Sequence, residues 1–189
     1  MKKLSAVFTV FFVLVFGINV LHAGGVFTYK KPKVSHPGKE VTPIDAYAMI
    51  KEDPAHMIII DVRTRAEYQF VGHPENAYLI PYQFMGTVFK EKKYEMIENK
   101  EFASSILKKF NSKTDTLFFL CRSGTRAAIA LSASVAAGWP TEKAYVVLGG
   151  FQGDKMKDKN SAYYGQRVGG GWKNEGLPWT YAMDRKLVY

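Results

Sequence analysis

The sequence predicts an α/β fold with a mostly parallel sheet of about five strands and helices on both faces. Continuous apolar runs predict the strands, because a strand that is covered on both faces needs apolar side chains at successive positions. These runs are Met57 to Ile60, Ala77 to Ile80, Thr116 to Leu120 and Ala144 to Leu148, and Val41 with its neighbours can supply a fifth strand. Helix-forming stretches separate the runs, and this alternation is typical of crossovers between parallel strands.

Capping residues predict where the helices begin. Thr42 followed by Pro43 suits the N-cap and the first position of a helix. Thr64 and Glu67 have the spacing of a capping box, so a second helix should start just after the first long strand. An alanine-rich helix is predicted over Thr125 to Ala137.

The segment from Phe84 to Lys113 is charged and compatible with helix. Its apolar residues are predicted to face inward, namely Ile97, Phe102, Ile106, Leu107 and Phe110. No internal repeat is visible along the chain.

Composition indicates one globular domain with a real core. The chain has 189 residues, of which 47% are hydrophobic, with 26 basic against 17 acidic residues. These values argue against a disordered chain, a collagen-like repeat and a protein with many membrane spans. The formal net charge of +9 is compatible with an anionic substrate or membrane surface. The lysines are scattered and do not alternate with aromatic residues along one stripe, so no nucleic-acid partner is predicted.

The amino-terminal residues have the pattern of a secretory leader. Lys2 and Lys3 precede a run from Leu4 to Tyr29 that contains no charged residue. This pattern predicts a signal peptide over residues 1–23, cleaved after Ala23, and a periplasmic protein with no stable membrane span after cleavage. The alternative is an uncleaved anchor helix, because an uncharged run of this length is long enough to cross a bilayer.

The rest of the chain is expected to have three parts. Residues 24–39 carry prolines, lysines and little apolar periodicity, so they are predicted to form an extended arm. The folded domain is expected over residues 40–178, and residues 179–189 form a carboxy-terminal tail.

The single cysteine is informative in an exported chain. Oxidising compartments use cysteines in pairs, and Cys121 has no partner in the sequence. It is therefore either a buried structural thiol or a reactive one. Cys121 directly follows a predicted parallel strand and precedes a predicted helix, at the sheet edge where ligands bind in open α/β sheets. Backbone N–H groups and two flanking arginines there would favour a thiolate nucleophile.

Five segments in order resemble the rhodanese-like sulfurtransferases. They are Cys121 to Arg126, similar to the C-R-x-G-x-R loop of single-domain members, Asp61-Val62-Arg63 with Glu67-Tyr68, Gly72-His73 through Ile80-Pro81, Gly149-Gly150-Phe151, and Gly176-Leu177-Pro178. The resemblance runs from about Val41 to Pro178. It departs from the family pattern at Pro74-Glu75-Asn76, at an insert over residues 152–171 and in the tail. We expect the insert to be either a lid beside the Cys121 loop, with Arg167 as an added cation, or a solvated surface excursion.

The resemblance implies sulfur transfer through a persulfide on Cys121. The donor would be a small anion such as thiosulfate or polysulfide, and the acceptor would be a thiol, cyanide or a protein. The residues implied in substrate binding are Arg122, Ser123, Gly124, Thr125 and Arg126. Asp61 and Arg63 are expected to support the loop from the neighbouring strand. No metal and no organic cofactor is required.

Two other functions remain open at this stage. Thiolate phosphatases and arsenate reductases hold a tetrahedral anion with a C-x5-R loop, whereas Arg126 gives the shorter spacing C-x4-R here. This shorter loop favours a transferase. The second alternative is a periplasmic sulfur carrier or binding module that delivers persulfide to a partner protein.

The leader predicts where the protein is found after export. Expressed with its own leader in a Gram-negative host, the protein should occur in the soluble periplasmic fraction with its amino terminus at or near Gly24. Fractionation and amino-terminal sequencing measure this. Recovery from the membrane pellet with Met1 intact would support the anchor helix instead.

Overall fold

The computed structural model describes residues 28–189, so the predicted leader lies outside the described residues. In chain order the elements are β1 (Lys39–Val41), α1 (Pro43–Glu52), β2 (Met57–Asp61), α2 (Arg65–Val71), β3 (His73–Pro74), β4 (Tyr78–Leu79), β5 (Gln83–Lys90), β6 (Lys93–Glu98), α3 (Phe102–Lys109), β7 (Thr116–Leu120), α4 (Thr125–Ala136), β8 (Ala144–Val147), β9 (Asp154–Lys155), β10 (Arg167–Gly169) and β11 (Trp179–Thr180). Two short 3-10 turns cover Thr141–Lys143 and Arg185–Leu187.

A five-stranded sheet forms the centre of the fold, with the order β1-β8-β7-β2-β4. Every neighbouring pair in it is parallel, and Ile60 on β2 lies opposite Phe119 on β7. The predicted fold class is therefore confirmed. Because the strands are parallel, their carboxyl ends share one edge, and β7 places Cys121 at the middle of that edge.

Alternating side chains of the strands pack into two separate cores. Phe119 on β7 belongs to the core that α3 and α4 cover. Phe118 and Leu120 belong to the opposite core, where Ala46 of α1 and Tyr68 of α2 pack. β2, β7 and β8 thus bury side chains on both faces, which explains why their sequences are apolar at successive positions.

Both predicted helix starts are confirmed. The Thr42 side chain accepts a hydrogen bond from the backbone N–H of Asp45 and caps α1. At the start of α2, Thr64 and Glu67 form the full capping box, in which each side chain accepts a hydrogen bond from the other residue's backbone N–H. Two of the N–H groups that lack partners within α2 are thereby satisfied.

The expectation of helix from Phe84 onward is wrong for its first half. β5 and β6 pair there as an antiparallel hairpin, and only Phe102–Lys109 is helical. Glu91 and Lys92 turn the hairpin with positive φ values of 48° and 63°. Such turns usually carry asparagine or glycine, so this turn left no sequence signal.

Two of the predicted inward positions are wrong. Ile97 is 50% exposed on β6 and Leu107 is 39% exposed on α3. Phe102, Ile106 and Phe110 are buried as predicted. On one face of the hairpin Met85 pairs with Met96 and Phe89 pairs with Tyr94, and all four side chains are exposed.

The segments at both ends of the described chain pack on the domain. Residues 28–38 contain no helix or strand, and the hydroxyl of Tyr29 donates a hydrogen bond of 2.5 Å to Glu175. At the other end, β11 pairs antiparallel with β3, and the backbone N–H of Tyr189 donates to the carbonyl of Leu79. The tail therefore covers the β4 edge of the sheet. No helix within residues 28–189 combines the length and the apolar character needed to cross a bilayer.

Candidate functional site

Cys121 lies at the start of a tight loop between β7 and α4. Its side chain is only 2% exposed. The backbone N–H of Gly124 donates a hydrogen bond of 3.1 Å to the sulfur, and this is the one hydrogen bond that Sγ accepts from the described residues. Gly124 adopts a φ of +110°, a conformation that other residues rarely adopt, and it is the N-cap of α4. The amino end of a helix carries partial positive charge, and Sγ lies at this end of α4.

The turn at Gly149 and Gly150 supports the back of the Cys121 loop. The N–H of Phe151 donates to the carbonyl of Cys121 at 2.7 Å, and the N–H of Gln152 donates to the carbonyl of Arg122 at 3.0 Å. A Cβ atom on Gly150 would lie 2.3 Å from the Cys121 carbonyl oxygen. Only glycine allows the two backbones to approach this closely.

Arg126 is held by a carboxylate. Its Nη1 and Nη2 atoms donate to Oε2 and Oε1 of Glu67 at 2.7 and 2.6 Å. The same Glu67 side chain caps α2, so one carboxylate joins the start of α2 to the start of α4. The residue pattern predicted a capping role for Glu67 and gave no sign of this contact, because the two residues are 59 positions apart.

This ion pair shifts the protonation of both partners. Burial raises the pKa of the Glu67 carboxyl, but the hydrogen bonds and the charge of Arg126 outweigh burial and lower the pKa to about 2. For Arg126, burial lowers the pKa, whereas the Glu67 carboxylate raises it by more. The pair is therefore fully charged at neutral pH.

Asp61 and Arg63 form a second, fully buried ion pair next to the loop. Nε of Arg63 donates to both Asp61 oxygens at 2.9 and 3.0 Å, and Nη2 donates to Oδ2 at 2.6 Å. Nη2 also donates to the carbonyl of Gly72, and the guanidinium lies 4.4 Å from the centre of the Phe151 ring. The pair thus links the end of β2 to the end of α2 and to the residue that binds the Cys121 carbonyl.

The other predicted site residues lie around the same loop. Arg122 is exposed, and within residues 28–189 it forms no ion pair and no side-chain hydrogen bond. Ser123 and Thr125 are partly buried, and neither hydroxyl makes a hydrogen bond to the Cys121 sulfur in the described chain. The loop therefore presents Arg122 to solvent while Arg126 faces Glu67.

A cavity of about 540 Å³ lies between α1, the start of β2 and Trp172, and no residue from Cys121 to Arg126 lines it. The described part of the chain has no group of three or more His, Cys, Asp or Glu residues that could hold a metal ion.

Comparison with known families agrees with this geometry. The family model described as "Rhodanese-like domain" matches residues 42–157. This chain belongs to the rhodanese-like family. The matched span includes the buried Asp61–Arg63 pair, Glu67, the Cys121 loop and the Gly149-Gly150 turn of this rhodanese-like domain.

Similar proteins are found in Rickettsia species. A rickettsial relative, the uncharacterized protein RP600 of Rickettsia prowazekii, is 32% identical over 124 residues, which cover 65% of this chain and 82% of the relative. Its homologue in Rickettsia rickettsii is 33% identical over 138 residues, which cover 72% of this chain and 92% of the homologue.

Solved structures are similar as well. The crystal structure of Rv0390 from M. tuberculosis aligns with a TM-score of 0.59 and 28% identity, and covers 78% of this chain and all of that one. The polysulfide-sulfur transferase homodimer from Wolinella succinogenes aligns with a TM-score of 0.46 and 22% identity, and covers 76% and 79%.

The first prediction from this geometry concerns Glu67. Replacing it by glutamine should reduce the free energy of unfolding at pH 7 by on the order of 2 kcal/mol, a value that allows for the 22% exposure of its side chain. The carboxyl pKa is about 2 in the folded protein against an ordinary 4.5. The ion pair therefore stabilises fully above pH 4.5, and this stabilisation is lost as the pH falls from 4.5 towards 2.

Urea unfolding of wild type and Glu67→Gln at pH 7 and pH 3 measures this difference. Glu98→Gln is the matched control, because Glu98 pairs with Lys100 at an exposed site and contributes little. Equal losses for the two variants, or a Glu67→Gln deficit that does not shrink at pH 3, would contradict the assignment.

The second prediction concerns Gly150. Gly150→Ala should destabilise the protein by about 2 kcal/mol more than Gly165→Ala and should change the rate at which Cys121 reacts with iodoacetamide. Both glycines have positive φ, 57° and 80°, but a Cβ on Gly165 would meet no atom within 4 Å. The comparison thus separates the effect of the close contact at Gly150 from the effect of a positive φ, which both variants share. Equal unfolding midpoints for the two variants would argue against the contact.

Proposed function

We propose that the protein is a sulfurtransferase that moves a sulfane sulfur from thiosulfate or polysulfide to a thiol or cyanide through a persulfide on Cys121. The observation that carries the proposal is the environment of the sulfur. The Cys121 Sγ accepts the Gly124 N–H at the amino end of α4, in a chain of the rhodanese-like family. A thiol held by a backbone N–H at a helix amino end is suited to exist as the nucleophilic thiolate.

In the first step the Cys121 thiolate attacks the outer sulfur of the donor. With thiosulfate, a new S–S bond forms to Cys121 while the S–S bond of thiosulfate breaks, and sulfite leaves with the bonding electron pair. Cys121 then carries the persulfide anion. The total charge is −3 before and after the step, because a thiolate and a thiosulfate dianion give a persulfide anion and a sulfite dianion. With polysulfide, the leaving group is the shortened chain.

In the second step the acceptor attacks the outer sulfur of the persulfide. Cyanide leaves as thiocyanate, and a thiolate leaves as its own persulfide. In both cases the Cys121 thiolate is regenerated with the electron pair of the broken S–S bond. The cycle requires no external oxidant or reductant and no metal or organic cofactor.

The surrounding residues take three roles in this scheme. The loop residues Arg122, Ser123, Gly124 and Thr125 bind the anionic donor and the sulfur, through the exposed guanidinium and the backbone and hydroxyl donors. Arg126 is held in place by Glu67, which already balances its charge. The fully buried Asp61 and Arg63 support the loop and do not touch the donor.

The low exposure of Cys121 favours small reagents. A compact dianion such as thiosulfate fits a nearly buried sulfur better than a bulky donor does. We further propose that the protein works in the periplasm, after removal of residues 1–23.

A second candidate function is that of a sulfur carrier for a partner protein. The exposed Met85, Met96, Phe89 and Tyr94 on the β5–β6 hairpin favour it, since apolar side chains exposed together often mark protein contacts. The hairpin follows β4 and so starts at the sheet edge that also holds Cys121.

The third prediction tests the nucleophile. Incubation of residues 24–189 with thiosulfate should add one sulfur atom to the intact mass, and Cys121→Ser should abolish both the adduct and thiocyanate formation. The adduct can only be on Cys121, because the chain has one cysteine. Ser132→Ala is the control, since its hydroxyl bonds to Ala128 within α4. Continued transfer by the serine variant would show that Cys121 is not the nucleophile.

The same experiment separates enzyme from carrier. An enzyme forms the persulfide and then produces thiocyanate or a small-molecule persulfide over many turnovers. A carrier forms one equivalent of persulfide and releases it slowly to cyanide and to small thiols. Mass spectrometry over time and a steady-state assay with thiosulfate or polysulfide as donor distinguish the two.

A further inference from the structure

We propose that Arg167, in the insert over residues 152–171, forms an anion-binding subsite with Arg122 at the mouth of the Cys121 loop. The subsite takes the oxyanion end of the sulfur donor, such as the sulfonate group of thiosulfate. This inference rests on the proposed function, and it assigns to the insert a role that the loop alone does not supply.

A further cation is needed because Arg126 already pairs with Glu67. Both of its terminal nitrogens donate to Glu67 at 2.6 and 2.7 Å, so a carboxylate already balances its charge. A donor dianion gains little binding free energy from a guanidinium that already pairs with a carboxylate. Arg122 is then the loop's one remaining cation, and it is exposed.

Arg167 is fixed next to the loop by its own hydrogen bond. Its Nη1 donates to the carbonyl of Gly153 at 2.5 Å. The preceding residue, Gln152, donates its backbone N–H to the carbonyl of Arg122. Arg167 therefore binds the chain one residue beyond the point where the insert contacts the loop.

Close backbone packing holds the insert in this position. A Cβ on Gly153 would lie 2.1 Å from the carbonyl oxygen of Gly170, so the two ends of the insert are in direct contact. The side-chain amide of Asn174 donates to the carbonyls of Gln152, Arg167 and Gly170 at 3.0, 3.3 and 2.7 Å. The insert thus closes on itself beside the loop, and β10 starts at Arg167.

The positive charges of two other arginines act on Arg167. Burial lowers the pKa of its guanidinium, and the positive charges of Arg122 and Arg126 lower it further. Asp154 and Cys121 act in the opposite direction, but no carboxylate among the described residues forms an ion pair with Arg167. An anion bound between Arg122 and Arg167 would relieve the repulsion of the two cations and form charge-assisted hydrogen bonds with both.

The test compares two alkylating reagents that differ in charge. Iodoacetate is an anion and iodoacetamide is neutral, and both react with the thiolate, so the ratio of their rates reports the potential at Cys121 independently of its protonation. Cys121 is the chain's one cysteine, so alkylation reports on it alone. Arg167→Gln should lower the iodoacetate-to-iodoacetamide ratio by about three- to tenfold, and the effect should shrink at high ionic strength.

Matched variants separate charge from structure. Lys159→Gln removes an exposed cation from the same insert and should leave the ratio unchanged. Arg122→Gln should lower the ratio as Arg167→Gln does. Arg167→Lys keeps the charge and should restore at least half of the wild-type ratio. In steady-state assays Arg167→Gln should raise the KM for thiosulfate several-fold and change kcat by less than about twofold.

Three outcomes would overturn the subsite. They are an unchanged ratio in Arg167→Gln, an equal fall in Lys159→Gln, and an Arg167→Lys variant that behaves like Arg167→Gln. If the ratio falls as expected but wild-type protein transfers no sulfur, the anion site stands and the proposed reaction fails. The failures of the two proposals are therefore distinguishable.

Discussion

The close approach of two backbones, at Cys121 and at Gly150, determines the shape of the site. A side chain on Gly150 would overlap the Cys121 carbonyl, so the turn after β8 lies directly against the loop after β7. The carbonyls of Cys121 and Arg122 are thereby bonded to Phe151 and Gln152. These bonds hold the loop in the shape in which the Gly124 N–H donates to the Cys121 sulfur. The insert that carries Arg167 starts from the same turn, so its position depends on the same contact.

Two ion pairs surround this contact, and they differ in what they do. The fully buried Asp61–Arg63 pair joins the end of β2 to Gly72 and to the ring of Phe151. Breaking it would leave an unpaired charge in the interior, which is a large cost. The Glu67–Arg126 pair is partly exposed. Glu67 orients Arg126 but also uses both of its terminal nitrogens. In the proposed reaction, donor binding therefore falls to Arg122 and Arg167.

The prediction from sequence was most accurate where the signal was local. The patterns that predicted β2, β7, β8 and the capping box at Thr64 were each local. Each one involves residues only a few positions apart, so it could be recognised directly in the sequence. The β5–β6 hairpin was missed because Glu91 and Lys92 adopt positive φ without the residues that usually announce it. Ile97 was expected to be buried for the same reason, because helical spacing was applied to a strand.

The sequence by itself determined the parallel α/β sheet, the place of Cys121 at its carboxyl edge and the resemblance to the rhodanese-like family. Those features follow from residue order and hydrophobic pattern over short stretches. The three-dimensional packing was needed to show which arginine pairs with a carboxylate and which one does not. Glu67 and Arg126 lie on different helices, and Arg167 donates to the carbonyl of Gly153, the residue after the Gln152 that contacts the loop. Such pairings depend on how helices and turns pack around the sheet edge, and side-chain charge acts through space, so no pattern along the chain specifies them.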